Sequence, residues 1–344
     1  MFRSLVLLAS LAVLALPATA QTVEVLPGLD GDPVVLVVHG GAGTLLRADM
    51  TDATERAVRG ALEQALRAGH AEVTAGRSAL DAVTAALQVL EDDVEFNAGR
   101  GAVFASDGTV RHDASIMDGA SGLAGASTGT MHVRHPIALA RRVMEASPHV
   151  LLSGEGAEEF ALQQGLELVP NEFFHTDSRR QSLLRVQEEE RSATGLAVPA
   201  PEPWQMTGTV GAVALSAEGH LAAGTSTGGM TNKRWGRIGD SPIIGAGTFA
   251  DDATCGVSAT GHGEFFIRLG IARDVAARMA YLGESVDTAA SHVIGETLTE
   301  AGGTGGIIAL DAGGNVSMPF NTEGMYRGYI TRSGRVVTMI YGDE

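Results

Sequence analysis

The feature that most constrains this 344-residue chain is an abrupt change of composition at residue 208. The preceding stretch, 174–206, is polar and contains an arginine pair, the charged run Glu188–Arg191 and three prolines. Directly after Gly208 the chain turns apolar in Thr209–Leu215 (TVGAVAL). This pattern predicts a mobile, solvated linker over about 174–208 between two folded halves. A linker of that length inside a compact domain is uncommon and indicates that it has a role.

Both halves combine helices with strands that form hairpins. Apolar residues at helical spacing predict helices over Thr51–Val73, Ser78–Leu90, Pro136–Met144, Gly156–Leu166, Phe265–Tyr281 and Val286–Leu298. Short apolar runs bounded by turn residues predict strands over Val34–Val38, Gly108–Met117, Thr209–Leu215, Leu221–Thr225, Thr254–Thr260, Gly305–Leu310, Val316–Pro319 and Val336–Tyr341. These elements favour an α+β fold in which helices cover antiparallel sheets.

The composition argues against several function classes. The chain has 24 Lys+Arg against 41 Asp+Glu and a net charge of -17, whereas nucleic-acid binding requires clustered cations. The single cysteine, Cys255, excludes an intramolecular disulfide and a cysteine-based zinc site. The histidines show no metal-ligand spacing, and His39, His112 and His262 are interpreted as hydrogen-bonding residues beside glycine turns. The only lysine, Lys233, is interpreted as codon bias without functional weight.

Residues 1–20 have the pattern of a secretory signal peptide. Arg3 precedes an apolar run of Leu, Val and Ala that ends in Ala18-Thr19-Ala20. An uncleaved membrane anchor is the alternative, but the apolar run is short for a bilayer span. We therefore expect cleavage after Ala20, a periplasmic or secreted protein, and no membrane segment in the mature form.

The segment Gly208–Glu264 is the densest in residues that could carry chemistry, because threonines and serines alternate there with glycines and with the pair Arg237 and Asp240. Taken singly, these residues have ordinary structural explanations. A threonine at a strand start is commonly a β-branched strand residue, an Arg/Asp pair can be a surface salt bridge, and glycine patches usually form turns. Their co-occurrence favours a site, but the spacing alone does not select a reaction.

One alternative reaction is that of a secreted α/β-hydrolase. Gly224–Gly228 (GTSTG) matches the nucleophile-elbow pattern with Ser226 as nucleophile and His262 or His292 as base, and His39–Gly43 resembles an oxyanion loop. The elbow requires a helix directly after its strand. The glycine-rich segment that follows is poor helix material, which disfavours this alternative.

Eight stretches in order, spread over nearly all of the mature chain, resemble the plant-type L-asparaginase/isoaspartyl peptidase family of N-terminal nucleophile hydrolases. They are His39–Gly43 (HGGAG), Phe96–Val103 (FNAGRGAV), Asp113–Gly119 (DASIMDG), Ser147–Gly156 (SPHVLLSGEG), Gly208–Leu215 (GTVGAVAL), Ser226–Ala246 (STGGMTNKRWGRIGDSPIIGA), Thr260–Glu264 (TGHGE) and Pro319–Tyr326 (PFNTEGMY).

The resemblance implies a precursor that cuts itself at the Gly208–Thr209 bond. It further implies a four-layer αββα sandwich, in which an α chain of about 21–208 and a β chain of 209–344 stay together. The usual assembly of the family is a dimer of such αβ units, (αβ)2. The predicted linker then gives the two new chain ends room to separate.

The resemblance also implies roles for site residues. Thr209 becomes the nucleophile, and its freed α-amine, with an ordinary pKa of about 7.7–8, takes the proton of its own hydroxyl. Thr227 orients Thr209, while Thr260 and the backbone N–H of Gly261 form the oxyanion hole. Catalysis needs no cofactor.

Substrate recognition is implied for a second set of residues. Arg237 binds the substrate α-carboxylate and Asp240 the α-ammonium, with help from the Gly261 and Gly263 backbones, and Asn97 lies near the nucleophile. The expected substrates are L-asparagine and β-aspartyl dipeptides. A structural sodium ion is implied at backbone carbonyls of Leu90, Glu91, Asp93, Phe96, Ala98 and Arg100.

Two alternative hypotheses of function remain open at this point. A glycosylasparaginase shares the nucleophile and the Arg/Asp clamp, but its cut follows an aspartate, where this chain has Gly208. A non-catalytic binding protein of the cell envelope requires loss of Thr209 or of the clamp, and all of these residues are present.

Overall fold

A computed structural model describes residues 31–43, 45–192 and 208–344. The predicted signal peptide, residues 1–20, and the part of the predicted linker at 193–207 lie outside these ranges. None of the helices in the described ranges is long and apolar enough to cross a membrane.

The strands form two sheets. They are β1 Val34–Gly43, β2 His112–Asp118, β3 Ala124–Thr130, β4 Leu151–Ser153, β5 Val210–Leu215, β6 Leu221–Thr227, β7 Thr248–Ala250, β8 Cys255–Gly261, β9 Gly305–Asp311, β10 Val316–Ser317, β11 Gly324–Thr331 and β12 Val336–Met339. The eight-stranded sheet has the order β12-β11-β1-β5-β6-β2-β3-β4, and the four-stranded sheet has the order β10-β9-β8-β7. Every pairing is antiparallel except β3 with β4.

Helices pack on both sheets, and the described residues form the following ones. They are α1 Asp52–Thr74, α2 Ala79–Asp92, α3 Pro136–Ala146, α4 Gly154–Gln163, α5 Asp177–Ser192, α6 Gly263–Leu269, α7 Ile271–Leu282 and α8 Val286–His292, the last continued by a π-helical segment, Val293–Leu298. Helices α1 to α3 pack on the eight-stranded sheet, and α7 and α8 pack on the four-stranded sheet. Strands β1, β5 and β6 contact β8 and β9, so the two sheets face each other.

Strand β5 shows why this layered arrangement buries two cores. Its residues alternate between the faces of the sheet. Val213 and Leu215 join the core shared with the second sheet, whereas Val210, Ala212 and Ala214 join the core under α1 and α2. Large side chains on these helices, such as Leu62, Leu66 and Leu87, are fully buried, and each contributes about 1.5–3 kcal/mol.

Local sequence explains where the first helices begin. Thr51 caps α1 by accepting a hydrogen bond from the backbone N–H of Thr54. Ser78 and Asp81 form a reciprocal capping box at the start of α2. The predicted helices at 51–73 and 78–90 are therefore confirmed within one or two residues of their ends.

The structure corrects two predictions. The predicted linker is not wholly without structure, since Asp177–Ser192 forms α5 and buries Leu183 and Val186. The single helix predicted over Phe265–Tyr281 is two helices, because Gly270 adopts a left-handed conformation with φ 63° and ends α6. Four strands were not predicted, namely β3, β4, β7 and β11.

Candidate active site

A narrow cleft lies at the start of β5 and at the ends of β6 and β8. Its lining residues are Ala42, Gly208, Thr209, Thr227, Gly229, Met230, Arg237, Gly239, Asp240, Ser241, Thr260 and Gly261. The cleft therefore brings together seven of the predicted site residues: Gly208, Thr209, Thr227, Arg237, Asp240, Thr260 and Gly261.

Sheet register places three threonines in this cleft. Val210 of β5 pairs with Ser226 of β6, so Thr209 lies beside Thr227, the last residue of β6. The Oγ1 atoms of these two threonines are 3.1 Å apart. The backbone N–H of Thr209 donates to Thr260 Oγ1 on the facing sheet, at 3.4 Å. Thr209 thus lies between hydroxyls from both sheets.

The glycines of the His39–Gly43 segment allow the backbone to pass directly over Gly208. A Cβ on Gly41 would lie 2.2 Å from the Cα of Gly208, and a Cβ on Gly208 would lie 2.0 Å from the Cα of Gly41. Gly41 also has φ 117°, a conformation that side chains rarely adopt. Both positions therefore require glycine, and the segment holds the Gly208–Thr209 bond from one side.

A second close backbone approach lies at Gly261. This residue has φ 151°, and a Cβ there would lie 2.4 Å from the carbonyl oxygen of Thr304. Thr260 Oγ1, one residue earlier, also accepts from the backbone N–H of Ala42 at 3.3 Å. The end of β8 is thereby fixed against both β1 and β9.

The other end of the cleft is charged. Arg237 donates from Nε and Nη2 to the two carboxylate oxygens of Glu264, at 3.0 and 2.9 Å. A Cβ on Gly239 would lie 2.7 Å from Arg237 Nη1. Gly263 does not line the cleft, but a Cβ there would lie 2.9 Å from Arg237 Nη2 and 2.8 Å from Asp240 Oδ1. The glycines at 239 and 263 make room for the two charged groups.

Asp240 is a buried carboxyl, only 4% exposed. Within the described part of the chain, its Oδ2 has no hydrogen-bond partner. Burial raises the pKa of this carboxyl to about 7, although Arg237 nearby acts in the opposite direction. A buried, unpartnered carboxylate oxygen at a cleft is suited to bind a cationic group of a ligand.

Asn97 lies behind the cleft instead of lining it. Its Nδ2 donates to the carbonyl oxygen of Gly229 at 2.7 Å, and its Oδ1 accepts from the N–H of Val103 at 3.0 Å. The N–H of Gly228 donates to the Asn97 carbonyl oxygen at 2.9 Å. Asn97 therefore supports the backbone that follows Thr227.

Sequence reasoning did not identify a buried chain of hydrogen bonds behind Thr209. His39 Nδ1 lies 3.0 Å from the carbonyl oxygen of Thr209, and its Nε2 lies 2.9 Å from Ser258 Oγ. The chain continues at 2.6 Å from Ser258 to Thr225 and at 2.6 Å from Thr225 to Thr248. The only sequence signal for this chain of hydrogen bonds is the presence of hydroxyl side chains at these positions.

The proton positions in this chain follow from burial. Burial lowers the pKa of His39 to about 3, so the ring is neutral near pH 7. Nδ1 must carry the ring proton to donate to the Thr209 carbonyl, and Nε2 then accepts from the Ser258 hydroxyl. The prediction that His39 forms hydrogen bonds is confirmed. The predicted glycine turn after Val38 is wrong, because β1 continues through Gly43 with an irregularity in register between His39 and Gly41.

The structure disfavours the serine-hydrolase alternative. Ser226 is fully buried, and its hydroxyl donates to Glu91 Oε1 at 2.6 Å. The residues after β6 form a loop up to β7 and not the helix that a nucleophile elbow requires. Ser226 therefore has neither the exposure nor the setting of a nucleophile.

The sequence-predicted sodium segment curls back on itself after α2. A Cβ on Gly99 would lie 2.0 Å from the Glu91 carbonyl oxygen, and one on Gly101 would lie 2.0 Å from the Phe96 carbonyl oxygen. The two glycines thus let the backbone pass close to the carbonyl oxygens of Glu91 and Phe96. No group of three or more His, Cys, Asp or Glu side chains converges as a metal site within 31–43, 45–192 and 208–344.

Comparison with known proteins agrees with this geometry. The profile of the family described as Asparaginase matches residues 32–340. The chain belongs to the isoaspartyl peptidase/L-asparaginase family. It is 48% identical over 310 residues to an isoaspartyl peptidase of Escherichia coli strain K12, covering 90% of this chain and 97% of the relative. It is 41% identical over 282 residues to an isoaspartyl peptidase/L-asparaginase of Rattus norvegicus, covering 82% and 81%.

Proposed function

We propose that this member of the family is a self-cleaving isoaspartyl peptidase and L-asparaginase, which hydrolyses β-aspartyl dipeptides and L-asparagine to L-aspartate. One observation carries the proposal: Thr209, its threonine neighbours and the Arg237/Asp240 pair line one cleft. The curated relatives are named for this activity, which disfavours glycosylasparaginase as the alternative.

Maturation uses the nucleophile on its own chain. The Thr209 hydroxyl attacks the carbonyl carbon of Gly208, the peptide bond becomes an ester, and water hydrolyses that ester. The close contact with Gly41 fixes the bond that breaks. Cleavage frees the α-amine of Thr209, and this amine can then take the proton from Oγ1 for each catalytic cycle.

Hydrolysis then proceeds through an acyl-enzyme. Oγ1 of Thr209 attacks the side-chain carbonyl carbon of the substrate, and the oxygen that becomes negative is stabilised by the Thr260 hydroxyl and the N–H of Gly261. Ammonia or the amine of an amino acid leaves, and water releases aspartate. Thr227 Oγ1, 3.1 Å from Thr209 Oγ1, orients the nucleophile.

The charged end of the cleft selects an L-aspartyl group. Asp240 Oδ2 has no partner in the described structure, and the substrate α-ammonium supplies one. Glu264 occupies the Nε/Nη2 edge of Arg237, so the substrate α-carboxylate binds at the edge that includes Nη1. The protein as a whole is acidic, with net charge -17, and repels an anionic group. A positively charged side chain at this end of the cleft is therefore needed to bind the substrate α-carboxylate.

The proposal is tested with purified full-length protein. A denaturing gel and mass spectrometry should show two chains that meet at the bond between 208 and 209. The cut protein should release aspartate from β-aspartyl-leucine and from L-asparagine, and the ratio of the two rates sets the preference. An active protein with this bond intact would contradict the scheme. Hydrolysis of N-acetylglucosaminyl-asparagine alone would support the glycosylasparaginase alternative.

The fold type, the export and the assembly of the protein are part of the same proposal. The order of helices, two facing sheets and helices supports a four-layer αββα sandwich of the N-terminal nucleophile hydrolase type. We further propose export through a signal peptide at 1–20 to the periplasm or medium, and assembly as (αβ)2. N-terminal sequencing of exported protein and light scattering of the cut form test these two points.

A structural sodium ion completes the proposal. The carbonyl oxygens of Glu91 and Phe96, which lie against Gly99 and Gly101, are of the type that a hard cation binds. The proposed donors are the backbone oxygens of Leu90, Glu91, Asp93, Phe96, Ala98 and Arg100. Sodium should raise the melting temperature more than choline at the same ionic strength, since a bound ion stabilises the folded state by mass action. Equal melting temperatures in both salts would argue against the ion.

A further inference from the structure

Lys233, the only lysine in the chain, is buried beside the cleft. It has no role in the proposed self-cleavage or hydrolysis by Thr209. It is 8% exposed, and its Nζ donates to the carbonyl oxygens of Gly228 and Arg111 at 2.7 and 2.8 Å. Burial lowers the pKa of its ammonium group. The compact ammonium of a lysine can donate hydrogen bonds to both carbonyl oxygens at once. The guanidinium of an arginine is planar and places its donors differently.

One peptide unit connects Lys233 with the nucleophile. The carbonyl oxygen of this unit, from Gly228, accepts from Lys233 Nζ. Its N–H, from Gly229, donates to Thr227 Oγ1 at 2.9 Å, and Thr227 Oγ1 lies 3.1 Å from Thr209 Oγ1. The C=O and N–H of a trans peptide unit point in opposite directions within one plane. Holding the oxygen therefore directs the N–H at Thr227.

The positive charge also strengthens this N–H as a donor. A hydrogen bond from a cation to a carbonyl polarises the whole amide, and bonds linked in series reinforce one another. Asn97 holds the backbone on both sides of the unit, through Gly228 N–H and the Gly229 carbonyl oxygen. In the described structure, Lys233 is the charged group that donates to the carbonyl oxygen of the unit itself.

We propose that Lys233 is a positioning residue for both self-cleavage and hydrolysis. Its ammonium orients and polarises the Gly228–Gly229 peptide unit, which in turn holds Thr227 Oγ1 against the hydroxyl of Thr209. This inference rests on the proposed roles of Thr209 and Thr227. Substrate binding depends on Arg237 and Asp240, so the lysine acts on the chemical steps.

The first test compares Lys233→Met with Arg234→Met. The control removes an exposed cation one residue away, which is paired with Glu190. Because misplaced catalytic groups lose up to about 10²-fold in rate, we expect Lys233→Met to lower kcat by about 10- to 100-fold. Its self-cleavage should slow by a similar factor while KM changes less than about threefold, and Arg234→Met should behave as the wild type.

A chemical rescue separates this role from a purely structural one. In Lys233→Cys, the thiolate displaces bromide from 2-bromoethylamine, so that an S–C bond forms and an ammonium returns at nearly the reach of lysine. Lys233 lines a surface cleft with Arg111 and the exposed Trp235, which gives the reagent access. Cys255 is buried, so treated wild-type protein is the control. We expect the treated variant to regain most of kcat, with mass spectrometry confirming a single addition.

The outcomes distinguish the inference from the proposed function. Wild type that neither cuts itself nor hydrolyses β-aspartyl-leucine overturns both. With active wild type, the inference alone is overturned if Lys233→Met keeps kcat within about twofold of it. A variant with raised KM and unchanged kcat, or an aminoethylated variant that stays slow, overturns it equally.

Discussion

The two ends of the cleft are built on different principles. At the reaction end, Thr209, Thr227 and Thr260 are uncharged side chains at the ends of strands from two facing sheets. At the recognition end, Arg237 and Asp240 are charged and lie on the loop between β6 and β7. Sheets hold groups to the small tolerance that bond formation requires, whereas charges act over a longer distance.

This difference predicts separable effects of substitution. Changes at the reaction end should affect self-cleavage and kcat together, because both reactions use the same hydroxyl. Changes at the recognition end should affect turnover of substrate while self-cleavage continues, because the Arg237 guanidinium donates to Glu264 and not to the backbone of Gly208 or Thr209.

The largest effect is expected for Thr209→Ala. This change removes the hydroxyl that attacks Gly208 and then the substrate, so the protein should remain a single chain without activity. A denaturing gel after prolonged incubation measures the cut. Two bands from this variant would contradict the assignment of the nucleophile.

Thr260→Val should have the next largest effect. Valine keeps the branched shape of the side chain but removes the hydroxyl, and loss of one oxyanion donor typically costs about 10²–10³-fold in kcat. Steady-state kinetics on β-aspartyl-leucine measures it. If KM rose while kcat stayed constant, Thr260 would belong to recognition and the division between the two ends would fail.

Arg237→Ala should lose activity on L-asparagine but still cut itself. Hydrogen bonds to charged groups contribute about 1.5–3 kcal/mol, which corresponds to a loss of about 10- to 150-fold in kcat/KM. Arg234→Ala, which removes an exposed neighbouring cation, is the control. Normal turnover by Arg237→Ala would refute its role as the carboxylate ligand.

Asp240→Asn should have a smaller effect that depends on pH. The ammonium of the substrate requires the ionised carboxylate, and burial raises the pKa of Asp240 to about 7. In wild type, kcat/KM should therefore rise as the pH increases through about 7. The asparagine variant should be roughly tenfold slower above that pH, by one lost hydrogen bond between charged groups. Its profile should lack the rise near 7 and keep only the rise at about 7.7–8 that the α-amine of Thr209 causes. A profile identical to that of wild type would assign the ionisation to another group.

The smallest effect is expected for Glu91→Gln, behind the reaction end. Burial raises the pKa of Glu91 to about 8, so in the folded state the side chain keeps its proton at a pH at which the unfolded chain has lost it. Its contribution to stability is present below the ordinary pKa of 4.5 and is lost as the pH rises through about 8. The free energy of unfolding, measured by urea denaturation, should decrease less between pH 6 and pH 9 for Glu91→Gln than for the wild type. Equal decreases in both proteins would contradict a protonated Glu91.

Local sequence was enough to predict much of the framework. The hairpin of β5 and β6 follows from two apolar runs around a Glu218-Gly219 turn, and caps at Thr51 and Ser78 mark the helix starts. The same reasoning missed β11, whose residues Gly324–Thr331 carry no clear alternation. It also missed α5, where a largely polar sequence is helical and buries Leu183 and Val186.

The chemical properties of the individual site residues could be predicted from the sequence. The hydroxyl of a threonine after a glycine, the charges of an Arg/Asp pair and the backbone freedom of paired glycines do not depend on the fold. Their convergence depended on the packing of one sheet against another, which sets Thr260 beside Thr209 and Gly41 against Gly208 across large separations in sequence. The role proposed for Lys233 likewise emerged only from the folded chain. Local patterns encode the elements, but contacts between layers depend on register and burial summed over the whole molecule.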